Sequence, residues 1–477
     1  MKLTYSKKLN HIKIQKLQQS ALLQLFGKLK LSYFLNELGF NKKRGIPVKE
    51  LFHVCFLVIM QKSRSINEAL ITLGFEKYKT PINDLLNNYK LRWSKLLSRT
   101  SRIFMSLYTQ DRDECKIIID DTKKEKSGRK ADFLAYFFDH SQQKYYKGFQ
   151  NIVMAFHNGI ISIPVEFKFK VGKNRLKRNK DQREIPTGSE TYKELKESKQ
   201  TKNKIVLKML KRIMRRKDRF RYILWDSWYN SSKSIKYIFE KVVCHGIHLI
   251  SMQKRSNQIF RFKNKEYNLK ALYRLAGKWQ NDRHSGIKYK SILVEYLDVS
   301  SSKEYSQRKS IGQIKMCFYK YPKVKKYKIL ISTDCGLTEF EMLQHYLCRW
   351  SIEVMFKDLK QYFGYDQNKN SKYSAMISDF TLRSILYIFF AHLKMQDMSK
   401  SIGQLVLKFY QEIQEVALKD FINSIFIARF KEALDYALEL GYESIKSLRD
   451  DIEYFLTWFF NKPEFADNIE DAVSVDF

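Results

Sequence analysis

The feature that most constrains the fold is a pair of short apolar runs that stop on carboxylates. Lys116-Ile-Ile-Ile leads into Asp120 and Asp121, and Arg221-Tyr-Ile-Leu-Trp leads into Asp226. Both read as strands. Two further strand-like runs, Phe149 to His157 and Ile160 to Lys170, flank Asn158-Gly159, a dipeptide that predicts a two-residue hairpin turn. A basic loop then fills 171–189. After it the pattern predicts a lysine-rich helix from Ser189 to about Lys217, a helix from about Ser231 to Val243, and a strand from Ile247 to Met252. This order of strands and helices predicts a mixed α/β sheet flanked by helices.

The rest of the chain divides by texture. Residues 1–112 read as a basic, helical domain, in which Ser65 and Glu68 predict a helix start and Pro81 a break before the helical stretch Ile82 to Tyr108. Residues 113–253 carry the strands above. Residues 254–335 read as an all-β insertion, with runs at Ile259 to Tyr267, Ile287 to Val299, Gln313 to Tyr321 and Tyr327 to Ser332. Residues 336–370 read as one long helix, opened by a capping box of Thr338 and Glu341 and stopped by Gly364. Residues 371–463 predict a helical C-terminal region and 464–477 an acidic tail.

Charge narrows the function. The 477 residues hold 88 Lys and Arg against 50 Asp and Glu, a net +38. Such an excess fits a polyanionic partner. The N-terminus has no apolar signal-peptide core, and Leu51 to Met60 and Ile385 to Leu393 are too short to span a bilayer. A cytoplasmic protein without a membrane partner is therefore expected. The six cysteines form no C-x-x-C pair and are expected as free thiols. Cys244, His245 and His248 lack the second pair that completes a zinc site.

On the helix after Thr338, Tyr346, Arg349, Glu353 and Lys360 share a stripe roughly 60° wide at about 100° per residue. Ile352, Phe356, Leu359 and Phe363 share another. Acidic strand ends, an acid on a helix face and a strongly basic chain belong together in phosphodiester cleavage. Two Mg²⁺ ions at such a site need hard oxygen ligands, and Lys and Arg hold the phosphates.

Tyr346-Leu-Cys-Arg349-Trp-Ser-Ile-Glu353, with Lys360 seven residues further, fits Y-(2)-R-(3)-E-(6)-K. The segment resembles the signature of cut-and-paste insertion-sequence transposases with a DDE triad on an RNase H-like core. Asp120-Asp-Thr resembles their first-Asp motif, Leu224-Trp-Asp226-Ser-Trp-Tyr their second, and 254–335 their β-insertion. The resemblance, over about residues 115–390, implies an RNase H-like mixed sheet with helical N- and C-terminal regions. It implies that Asp120, Asp226 and Glu353 are catalytic and bind two Mg²⁺ per site, with Mn²⁺ as substitute. Asp121 is the alternative first ligand. Tyr346, Arg349 and Lys360 are implied to contact DNA.

The implied activity is cleavage at transposon ends and transfer of the 3′-OH to target DNA. The partners are then double-stranded DNA, as terminal inverted repeats and target, and a second copy in a homodimer; no small-molecule substrate is implied. A catalytically inactive DNA-binding relative and a general RNase H-like nuclease are the alternatives. Some relatives hold a flipped base with a Trp of the insertion; Trp279 lies early in this stretch, and Tyr319, Tyr321 and Tyr327 lie nearer the expected place. Lys173, Arg175, Lys177, Arg178, Lys180, Arg215, Arg216 and Arg219 are candidate DNA-backbone contacts.

Overall fold

The computed structural model describes residues 27–41, 44–61, 65–139, 142–172, 185–298, 308–367 and 370–411. Lys173, Arg175, Lys177, Arg178 and Lys180, the rest of the C-terminal region and the acidic tail lie outside the described residues. The chain divides into two units, residues 18–405 and residues 1–17 with 406–477. The first holds everything below.

Its centre is β1 (Lys116–Glu125), part of a twelve-stranded sheet. Ile117, Ile118 and Ile119 are all fully buried, the pattern of a strand covered on both faces. Antiparallel to β1 runs the long β3 (Lys144–His157). The far edge of β3 is shared by β2 (Ala135–Asp139), on its first half, and β4 (Ser162–Lys170), on its second. On the other side β1 pairs in parallel with β5 (Tyr222–Trp225), and β5 in parallel with β6 (His248–Met252).

The sheet does not stop at β6. It continues antiparallel through β12 (Lys328–Ser332), β11 (Ser310–Lys320), β10 (Lys288–Leu297), β7 (Ile259–Phe262) and β8 (Lys265–Asn268), with β9 (Gln280–Asn281) on β10. The stretch read as all-β thus extends the same sheet, and it also contains a helix, Leu269–Leu275, capped by Asn268.

Helices cover the faces. Residues 31–108 form α1 (Leu31–Glu37), α2 (Val48–Met60), α3 (Ile66–Thr72), α4 (Lys79–Leu86) and α5 (Trp93–Tyr108), joined by a short 3₁₀ turn, Glu76–Tyr78. Phe52 stacks on Trp93 at 5.6 Å, with Phe40 edge-on to the indole. Next come α6 (Glu190–Ser198), α7 (Lys202–Arg215), α8 (Ser232–Lys241), α9 (the Leu269–Leu275 helix), α10 (Glu339–Leu347), α11 (Trp350–Gln361) and α12 (Tyr373–Gln396). Helix α5 packs on β4 and α12. Among the described residues α12 alone is long and apolar enough to cross a membrane, and 89% of its apolar window is buried inside the protein. It is a core helix.

Several boundaries differ from the sequence reading for local reasons. Asn158-Gly159 opens a four-residue loop: the Asn158 carboxamide oxygen accepts the N–H groups of Ile160 and Ile161, so pairing resumes only at Ser162. The 189–217 helix is two helices, because the Thr201 hydroxyl accepts from Lys204 N and starts a new one. Pro81 sits in the first turn of α4, where it costs no hydrogen bond. The capping box at Thr338 forms as expected, with both reciprocal bonds present.

Candidate active site beside β1 and β5

Strands β1 and β5 are parallel and in register, with Ile119 opposite Trp225. The next residues are Asp120 and Asp226. They therefore leave the sheet on the same face of adjacent strands, whose spacing is about 4.8 Å. Asp121 points to the opposite face. There its carboxylate accepts from Tyr229 Oη (2.9 Å), Lys202 Nζ (3.0 Å) and Gln150 Nε2. Asp121 is engaged in a lock between β1, β3, α7 and the turn after β5.

The third acid comes from the pair of helices, α10 and α11, that follows β12. The long helix read from sequence is broken into α10 and α11. Across residues 348–352 the backbone bonds run to the third residue back: Cys348 N to His345 O, Arg349 N to Tyr346 O, Ser351 N to Cys348 O and Ile352 N to Arg349 O. That is a 3₁₀ link, three residues per turn, which brings Tyr346 and Arg349 into line. The buried stripe survives the break, since Ile352, Phe356, Leu359 and Phe363 are all buried.

Arg349 makes the decisive contact. Its Nη1 bonds Asp120 Oδ2 and its Nη2 bonds Glu353 Oε1, both at 2.6 Å. One guanidinium thus spans two acids 233 positions apart in the chain, both carried by the motifs singled out from sequence. Tyr346 is buried beside them. Burial pushes its hydroxyl well above the usual range; Arg349 opposes this, and Asp226 and Asp120 add to it, which puts all three side chains within electrostatic reach. Lys360 lies further along α11 and pairs with Asp366 at 3.5 Å.

Residues 48–259 match the family model described as DDE superfamily endonuclease. The match takes in α2 to β6, with Asp120 and Asp226, and supports a DDE-type nuclease or transposase family acting on DNA. Glu353 lies beyond it. No curated protein matches the chain.

A DDE-type family implies divalent metal. Among the described residues no three His, Cys, Asp or Glu side chains gather closely enough to hold one, and Asp120 and Glu353 are both bonded to Arg349. The donor chemistry fits nonetheless. Asp120, midway along β1 because the strand read as ending there runs on to Glu125, Asp226 just past β5 and Glu353 on α11 offer hard oxygens of the kind Mg²⁺ prefers. Burial pushes the Asp120 carboxyl up to about 7; Arg349 opposes this, and Asp121 and Glu353 add to it. A buried acid with acidic neighbours gains from an added cation.

Next to Tyr346 and Arg349 opens a pocket of about 170 Å³, walled by Tyr319 and Lys328 of the extended sheet, by Tyr321 just past β11, and by Met252 and Trp350. Tyr319 and Tyr321 therefore face the site, while Trp279 packs edge-on to Tyr273, on which Tyr327 stacks at 4.4 Å. Of the other candidate DNA contacts, Arg216 turns inward to Asp218 at 2.7 Å. The sequence reading missed Lys202 and Gln150, which hold Asp121. Only the adjacency of two acids on one strand hinted that one of them needed partners.

Proposed function

We propose that this protein is a DDE transposase of the Y-(2)-R-(3)-E-(6)-K type, which cleaves at transposon ends and joins the 3′-OH to target DNA. The observation that carries the reading is the Arg349 clasp on Asp120 and Glu353. The sheet supports it too: antiparallel β4-β3-β1 followed by parallel β1-β5-β6 fits an RNase H-like core, with 254–335 as its insertion.

In this reading Asp120, Asp226 and Glu353 hold two Mg²⁺ ions. Bound there, the metals supply Lewis acidity and lower the pKa of a ligated nucleophile. Arg349 and Tyr346 are placed to meet a phosphate beside Asp120, and Lys360 one further along α11. Cleavage forms a bond from water oxygen to phosphorus and breaks the P–O3′ bond, leaving a 3′-OH and a 5′-phosphate. Strand transfer repeats the displacement with that 3′-OH as nucleophile and a target 3′-oxygen as leaving group. The number of phosphodiester bonds is unchanged in transfer, so no energy source is required. The Tyr319/Tyr321 pocket is the place for an unstacked base of the element end, and the acting form is a homodimer on DNA.

The test is nicking of the element's own terminal inverted repeats with Mg²⁺ or Mn²⁺. Asp226→Asn should abolish nicking and spare DNA binding; normal cleavage by that variant refutes the assignment. Cleavage of random duplex at equal rate points instead to a general nuclease, and binding without cleavage under every metal to an inactive relative.

A further inference from the structure

The geometry points to Trp228 as a stacking platform for one base of single-stranded DNA, on the short turn that follows Asp226. The residue sits two positions after Asp226. Its chain neighbours Trp225 and Tyr229 are buried, yet its own indole is half exposed, at 50%. The turn that turns it outward is firmly built. The Asp226 carboxylate accepts from Ser227 N, and Tyr229 is tied to Asp121. Asn230 accepts from Trp225 Nε1 and Ser251 Oγ and donates to Met252 O. A rigid turn that presents a large flat ring to solvent is preorganised for a planar ligand.

Cations complete the chemistry. Lys254 Nζ lies 3.3 Å from the centre of the Trp228 ring, and Lys202 Nζ lies 5.9 Å away. Lys254 is exposed and lies two residues after β6, and Arg255 beside it is exposed as well. An aromatic face carrying an exposed lysine is the pattern of sequence-tolerant single-strand binding: the base takes the ring and the displaced Lys254 ammonium takes the phosphate, while Lys202 stays paired with Asp121. Duplex DNA keeps its bases stacked within the helix, so it gains nothing from the ring. The proposal rests on the DNA-cleaving reading only for which strand arrives, namely the unpaired flank that opens when an end is cut.

Binding of the full-length protein is measured in EDTA, so no cleavage enters, with fluorescein-labelled dT12 and a 12-base-pair duplex. Trp228→Ala should weaken dT12 binding by roughly 10-fold, within the range seen when stacking platforms are truncated. Duplex affinity and the melting temperature should stay as in the parent. Trp228→Phe, which keeps a flat face, should retain most of the affinity. Lys254→Ala should flatten the plot of log K against log salt by about 0.7, the value of one phosphate contact on a single strand. Unchanged dT12 binding by Trp228→Ala overturns the proposal, as does equal loss on dT12 and duplex. Tighter binding of rU12, or saturation by dTMP alone at the same concentration, would also overturn it by assigning the ring to RNA or to a free nucleotide. Because the readout is metal-free binding, it can fail while nicking remains sensitive to Asp226→Asn, and the reverse.

Discussion

Replacing Arg349 by methionine separates the two tasks that the clasp combines. In the free protein the guanidinium holds Asp120 and Glu353 through two charge-assisted bonds of 2.6 Å. The three side chains are 18%, 20% and 33% exposed. Full burial would make loss of the cation cost about 3–5 kcal/mol, and full exposure about 0–1. An intermediate cost of about 1–3 kcal/mol follows, visible as a lowered melting temperature. Methionine keeps the packing but leaves two carboxylates facing each other. A divalent cation then no longer competes with a resident guanidinium. A gain of about 1.4 kcal/mol in cation binding is tenfold in affinity, so Arg349→Met should bind Mn²⁺ roughly 10-fold more tightly than the parent. Calorimetric titration without DNA at pH 8 measures this directly. The variant should nonetheless fail to nick, because Arg349 is also the phosphate contact. Weaker or equal Mn²⁺ binding, with an unchanged melt, would show that the clasp does not guard the cation position.

Other perturbations test other parts of the argument. Lys124 is buried on β1, its ammonium lies 4.1 Å from the Tyr365 ring, and burial pushes its pKa down to about 7, with Asp379 opposing. The unfolded chain therefore holds a proton that the fold sheds between about pH 7 and 10.5, so stability should rise with pH across that window. Lys124→Met should stabilise the protein at pH 6 by about 3–5 kcal/mol and flatten that rise, read by denaturant melts at pH 6 and 9; an unchanged slope counts against a neutral lysine. Asp121→Asn should cost about 1–3 kcal/mol through its bonds to Tyr229 and Lys202 while leaving nicking in place. Lost nicking with an unchanged melt would instead make Asp121 the first ligand.

Much of the site could be read in the sequence because its signals are local. A β-branched run ending on an acid, a capping box and an apolar stripe each occupy a few consecutive turns. The break at residues 348–349 was illegible, since no glycine or proline marks it and two residues of 3₁₀ geometry barely shift a 3.6-residue period. The hairpin between β7 and β8 escaped notice for a similar reason: its turn residues, Lys263 and Asn264, adopt positive φ without a glycine. Strand β2 is five residues, Ala-Tyr-Phe-Phe-Asp, too short for alternation to register. Weighing Asp120 against Asp121 takes partners from β3, α7 and α10–α11, which no window of sequence contains.

The unbroken run of hydrogen bonds from β6 through β12 to β11 has a mechanical consequence. Tyr319 stands on a strand laced through β12 to the one that flanks Asp226, so that wall of the pocket cannot swing like a door on a linker. Distance between wall and acids is then set by sheet stiffness. Whatever is to touch both meets a spacing held by the sheet rather than one a hinge could adjust.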